Sequence, residues 1–358
     1  MKLHTGKQPL GWLLAMLICS GPAAAEPVHE RGQFLVFGTL VEVTLAEPDP
    51  AKSAMAINAL EELFRDLHLR LHPWLPGPLA DLNAAIDLGL AYSAGPLLRD
   101  LIFSSQLLSL RSGGLFNPAI GRLVDLWGFH RPPAQWRPPA REQINALVMA
   151  GPDMNDLLVD GTTVLSENPQ VKLDFGAVAK GYAVNAGLAM LQNHGITAAM
   201  INAGGDLGVT GQAAGGKPWR AAIRDPAGEG LLAMLDLLDG EALATSGDYE
   251  RFHEYQGRKY PHLIDPHSGV PATAWASVTV LSNDGALSDA AATAIAIAGE
   301  DHWQQVAARM GVEHVLLVKP GGDVYLTPSM QQRVRLRAGI EPRLSQLLDQ
   351  APRPDRIN

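Results

Sequence analysis

The chain has 358 residues, of which 47% are hydrophobic and 18% are charged. This composition excludes disorder over most of the chain, because disorder requires low hydrophobicity, and the length fits one large domain or two packed lobes. The formal net charge of −9 argues against a generic nucleic-acid-binding protein, since binding to phosphates normally requires a basic excess. A single cysteine excludes an intramolecular disulfide framework and a multi-thiolate zinc site.

The first 25 residues have the pattern of a secretory signal peptide. Two lysines come first, an apolar run follows over residues 10–20, and small residues precede a cleavage site after Ala25. The apolar run is shorter than the roughly 20 residues that a membrane-spanning helix needs. We therefore expect a periplasmic protein. The alternative is an inner-membrane lipoprotein anchored at Cys19, although Ile18 stands where that processing expects a small residue.

Hydrophobic periodicity predicts a mixture of helices and short strands in the rest of the chain. In chain order, the predicted elements are a strand pair that begins within residues 34–46, helices over 51–71 and 96–111, a strand over 171–174, a helix over 177–194, strands over 198–202, 207–210, 219–224, 241–245 and 277–281, helices over 286–298 and 301–310, and a strand over 314–318. The mixture predicts an α+β fold, as a single compact domain or two packed lobes, over residues 26–340. Residues 341–358 are expected to form a C-terminal tail.

A glycine-rich segment over residues 173–185 (LDFGAVAKGYAVN) contains a candidate anion site. The predicted strand ends at Asp174, and Lys180 lies at the start of the predicted helix. Backbone N–H groups at a helix start, together with a lysine, attract an anion. The alternative is a structural turn with a surface lysine.

Two segments carry carboxylates that suit a hard metal ion. Asp289 and Thr293 are four residues apart on a nearly all-apolar helix, so their side chains share one face. Oxygen ligands without nearby histidine or cysteine favour Mg²⁺ over zinc. Asp206, in INAGGDLGVTG, is a second candidate for binding a metal or a ribose. The alternatives are a helix-capping or solvent-facing Asp289 and an exposed turn aspartate at 206.

A histidine and an aromatic segment complete the candidates. His262 lies three residues before Asp265 in a turn bounded by proline and glycine, where a histidine near a carboxylate can act as a base. In the segment over residues 112–129, Phe116 and Trp127 could form a wall for a planar ligand. The alternatives are a structural histidine and two core aromatics.

Taken together in their order, these segments resemble the FAD:protein FMN transferase family. The matching stretches are FGTLVEVTL, SGGLFNPAIGRLVDLWGF, LDFGAVAKGYAVN, INAGGDLGVTG, ATSGDYERF, HLIDPHSGVPA and LSDAAATA. The resemblance implies an exported bacterial enzyme with a compact α+β domain. It would cleave FAD between its phosphates, attach FMN through a phosphoester bond to a Thr or Ser of a periplasmic acceptor flavoprotein, and release AMP.

The resemblance also assigns roles to individual residues. It implies that Asp289, Thr293 and the carbonyl oxygen of Ala177 bind Mg²⁺, and that His262 activates the acceptor hydroxyl. The residues implied to bind FAD are Leu115, Phe116, Asn117, Asp174, Lys180 and Ile264. Two further positions depart from the family pattern: Phe37 stands where methionine is usual, and Trp74 takes an aromatic position in a segment that usually contains tyrosine.

The implied partners are FAD and a protein acceptor, with no nucleic acid. By resemblance, the acceptor carries an Asp-x-x-Ser/Thr-Gly-Ala-Ser/Thr motif and belongs to a respiratory or ion-translocating membrane complex. Two other functions fit the same residues: hydrolysis of the FAD pyrophosphate to FMN and AMP, and non-catalytic FAD binding in the periplasm.

Overall fold

The computed structural model describes residues 30–131, 136–228 and 230–347. The predicted signal peptide, its cleavage site and the end of the predicted tail lie outside these residues. Within the described part of the chain, no helix combines the length and hydrophobicity needed to cross a membrane.

The described residues form helices and strands in mixed order. The helices are α1 (Pro50–Leu71), α2 (Pro78–Asp87), α3 (Gly95–Ser112), α4 (Gly121–Trp127), α5 (Arg141–Ala150), α6 (Ala179–Asn193), α7 (Gly285–Met310) and α8 (Pro328–Gln331). The strands are β1 (Glu30–Val36), β2 (Thr39–Leu45), β3 (Tyr92–Ser93), β4 (Leu157–Asp160), β5 (Thr163–Ser166), β6 (Ala199–Ala203), β7 (Asp206–Thr210), β8 (Trp219–Arg224), β9 (Leu231–Leu237), β10 (Ala242–Gly247), β11 (Phe252–Tyr255), β12 (Arg258–Pro261), β13 (Ser277–Ser282), β14 (His314–Val318), β15 (Val324–Leu326), β16 (Val334–Leu336) and β17 (Arg343–Leu344).

A nine-stranded sheet in the order β1-β2-β6-β7-β10-β13-β14-β15-β17 connects the two ends of the described chain. Neighbouring strands are antiparallel except for the parallel pair β15 and β17. Because strands from all parts of the chain share this sheet, the protein forms one α+β domain rather than two lobes. The sheet continues past residue 340, where the sequence analysis placed the end of the domain.

Both faces of the central sheet are covered, which explains its nearly continuous hydrophobic strands. On β14, Val315 and Leu317 pack into a cluster with helices α3 and α7, whereas Leu316 and Val318 pack into a cluster with β8 and β9. This alternation follows the two-residue period of a strand. A third cluster packs α1 and α6 on the β1–β2–β6 end of the sheet.

The structure confirms most predicted elements and corrects others. The helices predicted over 286–298 and 301–310 are the two halves of α7, separated by Gly299 with φ of 70°. The strand predicted over 171–174 is wrong. Lys172 makes only an isolated bridge to Ile120, and this segment bonds to a loop instead of a second strand. Helix α2 was not predicted, although it begins with a proline in its first turn, a favourable position for that residue.

Candidate active site

The twelve residues predicted to form the site line one cavity of about 910 Å³. They come from many separate segments of the chain: Phe37, Trp74, Leu115, Phe116, Asn117, Asp174, Ala177, Lys180, His262, Ile264, Asp289 and Thr293. The fold therefore brings the candidate phosphate, metal and base residues to a common space, although up to about 250 residues separate them in sequence.

Helices α6 and α7 begin in direct backbone contact, and this contact forms one wall of the cavity. A Cβ atom on Gly181 would lie 2.1 Å from the carbonyl oxygen of Gly285, and one on Gly285 would lie 2.6 Å from the carbonyl oxygen of Gly181. Only glycine at both positions allows this approach. As a result, the backbone N–H of Gly181 donates to Oδ2 of Asp289, at 3.1 Å. The carboxylate therefore interacts favourably with the N-terminus of α6.

A partly buried lysine and two buried carboxylates form the polar centre of the cavity wall. Nζ of Lys180 lies 2.7 Å from Oδ2 of Asp206. Burial raises the pKa of Asp289 well above its ordinary value, and the neighbouring Asp206 raises it further, while Lys180 opposes both effects. Burial lowers the pKa of Lys180, but the carboxylates of Asp206 and Asp289 outweigh burial and raise it overall. The predicted anion site at the start of α6 thus already contains two carboxylates of the protein itself.

The oxygen atoms around Asp289 fit a Mg²⁺ ion. Asp289 and Thr293 lie one helical turn apart, and Oγ1 of Thr293 lies 3.3 Å from Oγ of Ser246. Beside Asp289, the buried Oδ1 of Asp206 has no hydrogen-bond partner. Among the described residues, no cluster of three or more His, Cys, Asp or Glu side chains could hold a metal. An ion here would depend on a few hard oxygen donors and on substrate oxygens, which is typical of Mg²⁺ sites in phosphoryl transfer.

The ring of His262 is oriented by the main chain. Its Nδ1 lies 3.1 Å from the backbone carbonyl oxygen of Arg251. Since a carbonyl only accepts hydrogen bonds, Nδ1 carries the proton and Nε2 keeps its lone pair. Burial, followed by the positive charge of Arg251, lowers the pKa of His262 to about 4. The imidazole is therefore neutral at neutral pH and can accept a proton.

The expected pairing of His262 with Asp265 does not occur through a hydrogen bond. Oδ1 of Asp265 accepts from the backbone N–H of His267, and Oδ2 accepts from the hydroxyl of Ser268. Asp265 therefore stabilises its own turn, and the carbonyl of Arg251 takes the orienting role.

An aromatic group lies in another part of the cavity wall. The indole of Trp74 stacks on the imidazole of His130, with centroids 4.5 Å apart, and Nζ of Lys172 lies 4.4 Å from the Trp74 ring. The rings of Phe37 and His68 meet edge-on, with their centroids 5.4 Å apart. Phe37 occupies the turn between β1 and β2 with φ of 55°, which is uncommon for a bulky residue.

The segment before α4 contributes mainly its backbone and apolar surface. Phe116 is almost fully buried in the core. The Asn117 side chain donates to the carbonyl of Pro152 and accepts from the N–H of Ala119, so its polar atoms fix the local loop. Trp127 does not line the cavity: it is buried, and its indole N–H donates to the carbonyl of Gly269. For Trp127 the alternative of a core aromatic is therefore confirmed, and the ligand wall is wrong.

Several residues without a predicted role also line the cavity, among them His130, Glu250 and Arg251. Partial desolvation raises the pKa of Glu250 to about 7, although Lys180 opposes the shift. The segment ATSGDYERF contains both Glu250 and Arg251, but its sequence does not show which polar residues face the cavity. For His130, which directly follows LWGF, no local signal indicates its stacking on Trp74.

Known proteins are similar to this chain in sequence and in fold. A model of the ApbE family matches residues 37–316. A Rhodobacter capsulatus protein named FAD:protein FMN transferase is 44% identical over 320 residues, covering 88% of this chain and 60% of that protein. This chain thus spans less than two thirds of that relative. A Vibrio cholerae protein of the same name is 33% identical, covering 86% of this chain and 93% of that protein. The crystal structure of the ApbE protein of Thermotoga maritima has a TM-score of 0.80 at 28% identity, covering 86% of this chain and 100% of that chain.

Proposed function

The chain belongs to the ApbE family, and from this premise we propose that it is an FAD:protein FMN transferase that modifies a hydroxyl group of a partner protein. One observation carries the proposal. A single cavity contains an oxygen pair suited to a cation, Asp289 and Thr293, and an unprotonated imidazole nitrogen, Nε2 of His262. The names of the R. capsulatus and V. cholerae relatives support the same activity.

In the proposed reaction, the hydroxyl oxygen of an acceptor Thr or Ser attacks the phosphorus atom that carries the riboflavin part of FAD. The bond between that phosphorus and the bridging oxygen breaks, so that FMN becomes a phosphoester on the acceptor and AMP leaves with the bridging oxygen. Nε2 of His262 accepts the hydroxyl proton. Such base assistance is typically worth about 10²–10⁴ in rate.

We propose that Asp289, Thr293 and the carbonyl oxygen of Ala177 hold a Mg²⁺ ion. When bound, this ion would neutralise negative charge on the FAD phosphates, which is a main requirement of phosphoryl transfer. The hydrogen bond from the N–H of Gly181 fixes one oxygen of Asp289 and leaves its other oxygen available. Lys180 adds a permanent positive charge behind the phosphates.

The remaining cavity residues are proposed to bind and orient FAD. Trp74 and Phe37 offer aromatic surfaces for the isoalloxazine ring, because planar rings gain from stacked or edge contacts. Leu115, supported by the buried Phe116 and Ile264, offers apolar surface for the rest of the cofactor. Oδ1 of Asp174 accepts a hydrogen bond from the N–H of Gly176, and this bond holds the carboxylate in place in the cavity wall. Burial raises the pKa of Asp174, and that hydrogen bond opposes the effect.

We also propose that the enzyme is exported and that its acceptor is a periplasmic flavoprotein. The signal-peptide pattern of residues 1–25 supports export. The family resemblance supports an acceptor with an Asp-x-x-Ser/Thr-Gly-Ala-Ser/Thr motif in a respiratory or ion-translocating membrane complex. Mass spectrometry of the exported protein tests the first part: we expect a chain that begins at Glu26, and an acylated Cys19 would contradict it.

The activity is tested by incubating the purified protein with FAD, Mg²⁺ and a candidate acceptor protein. Covalent flavin on the acceptor, with one AMP released for each flavin attached, supports the transferase. Free FMN and AMP without a modified acceptor would instead identify a pyrophosphate hydrolase. Bound but unchanged FAD would identify a binding protein. Omitting Mg²⁺ from a parallel reaction tests the ion requirement separately.

A further inference from the structure

The wall of the large cavity contains a second permanent cation besides Lys180, the guanidinium of Arg251. The two cations differ in how they are held. Nζ of Lys180 lies 2.7 Å from Oδ2 of the buried Asp206. Arg251 is exposed, and no carboxylate of the described residues forms an ion pair with it. Arg251 is therefore the cation of this wall that remains available to a negatively charged ligand.

The acids closest to Arg251 in sequence do not neutralise it. Asp248 forms its ion pair with Lys259, with Nζ and Oδ1 2.9 Å apart. Glu250 lines the cavity beside Arg251, but burial raises the pKa of Glu250 to about 7, and Lys180 opposes this shift more strongly than Arg251 does. The positive charge of Arg251 therefore acts on the cavity and is not consumed by a single ion pair.

The guanidinium of Arg251 lies along the cavity wall and reaches the β1–β2 turn. Its Nη2 donates to the carbonyl oxygen of Phe37 at 3.4 Å, which is long for a hydrogen bond. A Cβ atom on Gly38 would lie 2.7 Å from the same Nη2, so the glycine makes room for the arginine. An arginine has five N–H donors, and within the described residues the guanidinium makes this one bond. Most of its donors are thus free to bind a ligand.

The main chain of Arg251 holds the proposed base. Its carbonyl oxygen lies 3.1 Å from Nδ1 of His262 and accepts the backbone N–H of His262 at 3.1 Å as well. An attacked phosphorus must lie within about 6–7 Å of Nε2, because the hydroxyl that attacks it has to reach both atoms. Since one residue carries both the carbonyl and the guanidinium, the guanidinium lies beside the position that this phosphate must occupy.

We propose that Arg251 binds the phosphate that is transferred, the one that carries riboflavin, and exchanges its bond to Phe37 for this contact. The inference rests on the proposed transferase function. The planar fork of a guanidinium matches two oxygens of a phosphate. In phosphoryl transfer, negative charge is spread over the non-bridging oxygens of the attacked phosphorus, and a cation placed beside them stabilises the transition state.

Four ligands locate the contact. Riboflavin has no phosphate, FMN has the phosphate in question, AMP has the other one, and FAD has both. In Arg251→Gln, the affinity for FMN and FAD should fall about tenfold, since a hydrogen bond between charged groups is lost. The affinity for riboflavin and AMP should stay within about twofold of wild type. Fluorescence titration measures the flavins, and calorimetry measures AMP. At pH 8 the imidazole of His262 is neutral in both proteins, because even an ordinary histidine has a pKa near 6.5.

Three further variants distinguish charge from shape. Arg251→Lys keeps the charge without the fork and should lose less FMN affinity than Arg251→Gln. Arg251→Ala should regain part of its FMN affinity when guanidinium is added at millimolar concentration. Arg258→Gln is the matched control. Arg258 is exposed, forms no ion pair within the described residues, contacts the ring of Tyr260 and does not line the cavity. Its removal should leave all four affinities unchanged.

Single-turnover transfer at saturating FAD tests the transition state separately from binding. If Arg251 contacts the oxygens on which charge develops, Arg251→Gln should slow this step by at least about tenfold even when FAD fills the site. Added guanidinium should restore part of the rate of Arg251→Ala. A residue that merely held the β1–β2 turn in place would not respond to guanidinium.

Three outcomes would overturn the proposal. The first is an equal loss of affinity for riboflavin and FMN in Arg251→Gln, which would show that the arginine shapes the cavity without binding phosphate. The second is an unchanged affinity for FMN. The third is a loss for AMP without one for FMN, which would place Arg251 at the other phosphate. Failure of the transferase function is distinguishable: wild-type protein would then leave every acceptor without covalent flavin, whereas the comparison of FMN with riboflavin needs no transfer.

Discussion

Nδ1 of His262 donates to the backbone carbonyl oxygen of Arg251 across 3.1 Å. This contact holds the imidazole without any titratable partner, so the orientation of the ring does not depend on the protonation of a carboxylate. It also fixes the tautomer in which Nε2 is unprotonated. In many enzymes a carboxylate performs this task, whereas here the main chain of the segment that follows β10 does.

Removing the imidazole should separate binding from chemistry. Because the predicted ion ligands, and all predicted FAD residues except Ile264, lie on different segments, His262→Ala is expected to bind FAD within a few-fold of wild type. Transfer should slow by at least about tenfold, since base assistance is worth about 10²–10⁴. Equilibrium FAD titration and single-turnover transfer on one acceptor measure the two effects. His194→Ala, at an exposed position after α6, is the control. A parallel loss of binding and rate would exclude His262 as the base.

The pH dependence of transfer should reflect the lowered pKa of His262. With a pKa of about 4, the imidazole is neutral across about pH 5 to 8, so this group should cause no loss of kcat in that range and should cause a loss only below it. Arg251→Gln removes the positive charge that contributes to the low pKa but keeps the backbone carbonyl. The acid limb of its kcat profile should therefore move to higher pH, although burial limits the shift. An acid limb near pH 6.5 in the wild type would contradict the assignment.

The carboxylate of Asp289 should matter more than the hydroxyl of Thr293. We expect Asp289→Ala to abolish Mg²⁺-dependent turnover and Thr293→Ala to weaken it less, because a neutral hydroxyl contributes less charge than a carboxylate. Thermal unfolding gives a second measurement: a bound ion raises Tm by mass action, so added Mg²⁺ should stabilise the wild type but not Asp289→Ala. Full turnover by Asp289→Ala at low Mg²⁺ would show that the ion is held elsewhere.

The contact between α6 and α7 should not tolerate a side chain. In Gly181→Ala, the new Cβ would lie 2.1 Å from the carbonyl oxygen of Gly285, so the helices must separate. Overpacking of this kind typically costs about 1–3 kcal/mol of the free energy of unfolding. The separation would also weaken the hydrogen bond from residue 181 to Asp289. Gly321→Ala, where a Cβ meets no atom within 4 Å, is the control. Denaturant unfolding with equal stability for both variants would contradict the role of this contact.

The family resemblance assigned most of the predicted site residues, and local patterns indicated a few of them, because part of their chemistry is carried by short segments. The four-residue spacing of Asp289 and Thr293 on an apolar helix indicated an oxygen pair, and the glycines around Lys180 indicated a helix start. The tertiary partners of these residues could not be predicted from local patterns. The partner of Lys180 is Asp206, 26 residues away on β7, and only packing of α6 on the sheet brings them together.

The predictions that the structure contradicts failed for related physical reasons. The apolar residues at 171–174 suggested a strand, but Leu173 makes its backbone hydrogen bonds to the side chain of Asn83, so buried pairing does not require a sheet. Asp265 is close to His262 in sequence, yet the aspartate satisfies its oxygens within its own turn. His130 reaches Trp74 only through the folded loop after α4. At Leu173 and His130 a tertiary contact determined the outcome, whereas at Asp265 hydrogen bonds within the turn did so.

The aromatic contact at Trp74 gives a direct test of the flavin end of the cavity. If the isoalloxazine ring packs on the indole, Trp74→Ala should weaken FAD affinity by up to about tenfold, since an aromatic pair contributes about 0.5–1.5 kcal/mol beyond its buried area. Trp74→Phe keeps a planar ring and should lose less. Lys172→Ala removes only the cation beside the indole and should have the smallest effect. Titration of each variant with FAD and with AMP separates the two ends of the cofactor. We expect AMP affinity to be unchanged in all three, and an equal loss for both ligands would place Trp74 away from the flavin.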